Sequence, residues 1–76
     1  MHFPLHVHGI TLFPRAVYLD DCWRGHIRMV SGNGQITVHW CLGGHPAEAI
    51  ALAFVRLEMR ALARTLRETC GHLGTH

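Results

Sequence analysis

The sequence contains no lysine, although seven arginines are spread along its 76 residues. Against five acidic residues they leave a formal net charge of +2. An arginine-only basic set suits bidentate recognition of phosphate or carboxylate, and it is also the usage of a GC-rich coding sequence. Cysteine is scarce and odd in number. Cys22, Cys41 and Cys70, at no metal-like spacing, do not make the even disulfide framework of a small secreted domain and fit free thiols in a reducing cytosol. No stretch approaches about eighteen uninterrupted apolar residues, which excludes a membrane-spanning helix. The opening MHFPLHVHG lacks the basic region and long apolar run of a signal peptide. A cytoplasmic protein is expected. Charged residues make up 16% of the chain and hydrophobic ones 49%, a balance that excludes disorder. Residues 1–76 leave room for one domain and no second core.

What is present alternates. Phe3, Leu5 and Val7 share one parity and predict a half-buried strand, with Pro4 near its edge or start. Gly9 breaks the phase, Ile10 and Leu12 resume it, and Pro14 is expected to end that piece. Ala16 to Leu19 reads as a further strand and DDCWRG as a turn. The clearest local signal is HIRMVSGNGQITVHWCL, two alternating segments around Asn33-Gly34, the preferred pair for a tight hairpin turn. A turn centred there pairs Met29 with Val38 and Ile27 with Trp40. It places Ile27, Met29, Ile36, Val38 and Trp40 on the helix-facing side and His26, Arg28, Val30, Thr37, His39 and Cys41 on the other. Centring the turn on Gly32-Asn33 keeps the same faces.

After these strands, expected within residues 3–42, a helix is predicted over residues 46–70. Pro46 suits its first position, Glu48 complements the helix dipole, Gly71 is a natural stop, and residues 71–76 read as a loose tail. The fold class is therefore α+β, a small antiparallel sheet packed on one long C-terminal helix. At about 100° per residue, Ile50, Phe54, Leu57 and Ala61 cluster near one direction. Leu52, Val55, Met59, Leu62 and Leu66 cluster some 120–200° away, and Arg56, Arg60, Arg64 and Arg67 form a stripe between the two. The apolar arc is wider than one small sheet requires. Either the sheet curls around the helix, or part of the arc is buried against a second copy or another protein. The arginine stripe is read as the solvent side and as the candidate partner surface, with Arg28 and Arg24 extending it.

Catalytic and metal chemistry find little support. Eight histidines invite a zinc site, most of all His26, His39 and Cys41 on one hairpin face. There is no CxxC and no helical HxxxH, so no metal and no cofactor are expected. Asp20-Asp21 reads as a turn former, and phosphate-loop, dinucleotide and nucleophile-elbow motifs are missing. An enzyme is not expected.

Short strands, an Asn-Gly hairpin and one long helix together resemble the small phage-encoded anti-CRISPR inhibitors of type I systems. The likeness is one of size and layout and covers the whole chain. It implies a non-enzymatic inhibitor that binds a host protein complex, such as a CRISPR surveillance complex, and blocks its action. Many of those inhibitors are acidic nucleic-acid mimics, whereas this mildly basic chain points to an acidic protein patch or to nucleic acid itself. GGHPAEAIALA is also similar to the strand-to-helix passage of HicB-type antitoxins, without their aromatic strand motif. The expected function is an anti-CRISPR-like binding module. The alternatives are an arginine-rich nucleic-acid-binding module and a HicB-like antitoxin domain, and a homodimer is compatible with each.

Overall fold

The computed structural model describes residues 4–74, with side chains through Thr69. Its elements are β1 (Leu5–Val7), β2 (Ile10–Leu19), β3 (Cys22–Val30), β4 (Ile36–Trp40) and α1 (Glu48–Gly74). The four strands form one antiparallel sheet in the order β1-β2-β3-β4. This is the expected α+β arrangement. Among the described residues no helix is long and apolar enough to cross a membrane.

Turn geometry sets the register of every strand. His8-Gly9 and Asp20-Asp21 are two-residue turns in which both residues have positive φ, 49° and 79° in the first and 52° and 65° in the second. That is the twist-matched hairpin turn. Asp tolerates the left-handed region better than most side chains, and the DDCWRG segment accordingly turns at its two acids and enters β3 at Cys22.

The strand expected to end at Pro14 does not end there. β2 runs through it to Leu19. Leu19↔Cys22 closes a two-residue turn and so exchanges both backbone hydrogen bonds. Counting back by twos, Pro14↔Ile27 is a pair that exchanges none, and the proline nitrogen points away from β3. On that side β1 has already stopped, at the Leu5↔Leu12 pair. The missing N–H therefore costs the ladder nothing.

The third hairpin corrects the expected faces. Ser31 pairs with Gln35 around a loop of Gly32, Asn33 and Gly34, with bonds from Ser31 N to Gln35 O (2.9 Å) and from Gly34 N to Ser31 O (2.9 Å). Gly34 sits at φ 87°, the left-handed residue that closes a three-residue loop. The side chains of Ser31 and Asn33 bond across the loop, and Asn33 Oδ1 accepts from Gln35 N at 3.1 Å. An odd loop shifts the register by one residue, so Val30 pairs with Ile36, Arg28 with Val38 and His26 with Trp40. Every side chain of β4 thereby changes face. Ile27 and Met29 point to the helix as expected. Ile36, Val38 and Trp40 point away, and Thr37, His39 and Cys41 take the helix side.

The core lies between the sheet and one stripe of α1. Val7, Leu12 and Ile27 meet Ala51, Val55, Met59 and Ala63, all essentially inaccessible to solvent. Gly25 lets the helix approach, because a Cβ there would lie 1.9 Å from Val55 Cγ2. α1 packs on β1, β2 and β3, and β4 extends beyond it. Two expected helix limits move. Ala47 O accepts the first helical bond, from Ala51 N at 3.1 Å, which leaves Pro46 outside the helix. At the other end the helix continues through Gly71 to Gly74, so only the last two residues of the expected tail lie outside the described ones.

Candidate functional site

With the helix on one side, no described residue covers the other face of the sheet. Alternation places Phe13, Arg15 and Val17 of β2 there, beside Arg24, His26, Arg28 and Val30 of β3 and Ile36, Val38 and Trp40 of β4. Ile36, Val38 and Trp40 are 51%, 44% and 49% exposed, unusual for apolar side chains grouped on one face. A shallow depression of about 410 Å³ runs between Phe13, Arg15, Arg28 and Ile36. His26 packs edge-on against Trp40, ring centroids 4.8 Å apart.

The electrostatics of this face have one sign. β2, β3 and β4 contain no Asp or Glu, while Arg15, Arg24 and Arg28 all project from the open side. Burial lowers the pKa of His26, and the charges of Arg15 and Arg28 lower it further. Arg24 Nε and His26 Nδ1 are shielded from solvent and have no hydrogen-bond partner among the described residues. The face thus combines apolar contact area, guanidinium donors and two enclosed nitrogens without hydrogen-bond partners among the described residues. It fits a flat surface that carries carboxylates or phosphates.

The expected single basic surface separates into two. Arg24 and Arg28 sit on the open sheet face with Arg15, which the sequence reading had not singled out. Arg56, Arg60, Arg64 and Arg67 are exposed on α1, across the thickness of the sheet. The register shift also parts the histidine–cysteine trio, with His26 on the open face and His39 and Cys41 on the helix side. Among the described residues no group of three or more metal-ligating side chains comes together. His39 Nε2 lies 3.3 Å from Glu58 Oε2 instead, a pair exposed enough to contribute little to stability. Burial, and then Glu58, raise the pKa of the Cys41 thiol, which disfavours its reactive thiolate.

The open face was within reach of the sequence. SGNG reads as a three-residue loop ending on a left-handed glycine as readily as a two-residue Asn-Gly turn, and that choice decides where Trp40 points. No family model matches the sequence, and comparison with curated proteins and with solved structures finds no similar chain.

Proposed function

We propose that this chain is a small non-enzymatic binding module that blocks a larger bacterial protein complex by covering an acidic patch on it. Occupying a surface of a host complex is the mode of action that the resemblance to anti-CRISPR inhibitors implies, and a CRISPR surveillance complex in the host cytoplasm is the proposed target. The observation that carries the reading is the uncovered sheet face, where Trp40, Val38 and Ile36 lie among Arg15, Arg24 and Arg28. An aromatic and aliphatic centre with arginine and without lysine or acid is the composition of a protein–protein interface core. Trp40 and Phe13 beside the arginines would also take stacked bases, and the exposed aliphatic pair Ile36 and Val38, which offers bases nothing to stack on, is what favours a protein surface.

The test is phage plaquing on a bacterium with an active type I CRISPR system that expresses the chain. Wild type should restore plaquing. Arg15→Glu/Arg28→Glu and Trp40→Ala should abolish the effect while the purified variants keep their helical circular dichroism, since none of these side chains belongs to the buried core. Protection unchanged by both variants would remove the sheet face from the mechanism. Tight binding to single-stranded DNA that collapses with salt would assign the face to nucleic acid instead.

A further inference from the structure

We infer that a second copy of this chain covers the outer ridge of α1, in a two-fold dimer whose helices lie side by side between the two sheets. The inference concerns the side of the sheet opposite the cationic face and is independent of the function proposed above. It starts from a mismatch of widths. Four strands at about 4.8 Å spacing make a sheet wide enough for two helices, which pack 8–10 Å apart. α1 occupies one lane, over β1, β2 and β3, and the lane above β4 holds none. Between them is a groove of about 540 Å³, walled by Phe54, Leu57, Glu58 and Ala61 on the helix and by His39, Cys41 and Leu42 on the strand side, with Trp40 at its edge.

The helix carries the matching part. Its buried stripe is Ala51, Val55, Met59 and Ala63. About 150° around the axis runs a second apolar stripe in which Ile50, Phe54 and Leu57 are 41%, 54% and 60% exposed. A helix apolar on two opposed sides is one that is covered twice. Each copy thus presents a ridge covered only where His45 stacks on Phe54, ring centroids 4.8 Å apart, and a lane without a helix. When the ridge of one copy enters the lane of the other, a two-fold axis makes both contacts at once and closes the assembly.

Charge separates this surface from the open sheet face. The groove carries one ionisable pair, His39 and Glu58, already 3.3 Å from each other, so it meets its own copy without like-charge opposition. The open face would set Arg15, Arg24 and Arg28 against the same three residues of a second copy, which excludes it as the two-fold contact. By the same wheel, Arg56, Arg60 and Arg67 fall on the flank of α1 away from the groove, where they rim the contact, while Arg64 and Glu68 continue the line of the ridge beyond Ala61 with one charge of each sign. Ile50, Phe54, Leu57 and the 96% exposed Leu42 offer on the order of 400 Å² per copy, ridge and lane together. That is about half of the roughly 800 Å² per partner of a standard interface; the half-exposed His39 and Glu58 and the helix wall at Ala61 add to it, and the contact is that of a weak dimer.

The experiment is sedimentation equilibrium of the full chain at concentrations up to about 100 μM, a range that reads a weak dimer. Wild type should sediment at twice its 8.6 kDa. Leu57→Glu should weaken the dimer about 100-fold or more, as loss of a central apolar contact does, with circular dichroism unchanged. Ala61→Arg reads the same contact if Leu57→Glu fails to fold. Arg15→Glu/Arg28→Glu should remain dimeric. A monomeric wild type at the highest concentration overturns the inference, and so does a folded Leu57→Glu or Ala61→Arg that associates like wild type. Loss of the dimer in the Arg15/Arg28 variant alone would also overturn it, by moving the contact to the open face.

Discussion

Gly25 and His26 are neighbours on β3 and face opposite ways, and each has a measurable consequence. Gly25 lies under the helix, where an added methyl would overlap Val55. Gly25→Ala should therefore destabilise the fold by about 1–3 kcal/mol, the usual effect of overpacking, visible as a lower urea midpoint. A midpoint equal to wild type would mean that the helix can shift away at little cost. His26 faces the arginines, and its pKa lies below the ordinary value because of burial first, then Arg15 and Arg28. The folded state thus binds this proton less readily than the unfolded chain, whose histidines titrate near about 6.5. Stability from this residue is complete above that pH and is lost as pH falls toward the lowered folded-state pKa. His26→Gln should flatten the acid side of the stability profile below about pH 6.5, and an unchanged slope would show that His26 does not carry it.

At the scale of elements, α1 and β4 separate what patterning reveals from what it hides. The helix was legible because Val55, Met59, Leu62 and Leu66 recur at helical spacing over a long segment, where no strand pairing could compete. The excess width of its apolar arc was legible too. The sheet does not curl around it, and the Ile50–Ala61 side remains exposed. β4 was misread because period-two alternation fixes which residues share a face but not which face is buried. Ile36, Val38 and Trp40 look like core by hydrophobicity, yet the Gly32–Gly34 loop decides otherwise. Pro14 misled for a related reason, since its tolerance depends on how far β1 extends. The arginine stripe of α1 carries its own prediction. Arg60→Glu/Arg64→Glu should shift stability by about half a kcal/mol or less per residue, and should leave the plaquing effect intact if the open sheet face is the target-binding surface. Loss of the effect with unchanged melting would return the partner site to the helix.

As a whole the molecule is long for its mass, 47 × 22 × 22 Å, because the helix outreaches the sheet that supports it. A single layer of helix over a single sheet leaves two broad surfaces of different character, an open sheet face with arginines and no acid, and a helix side where an apolar groove runs beside a mixed row of arginines and glutamates. Occupation of one by a second copy would leave the other displayed twice, on opposite sides of the assembly. The open edge of β2 raises a separate matter, that of unwanted company. Beyond Leu12 no strand among the described residues lies beside its outward amides, and such an edge invites stacking of further chains. Pro14 stands at the first outward-pointing position past the end of β1, so the row of donors a foreign strand would need begins with a gap. The residue that fits the ladder without loss is also the one that keeps this sheet from growing.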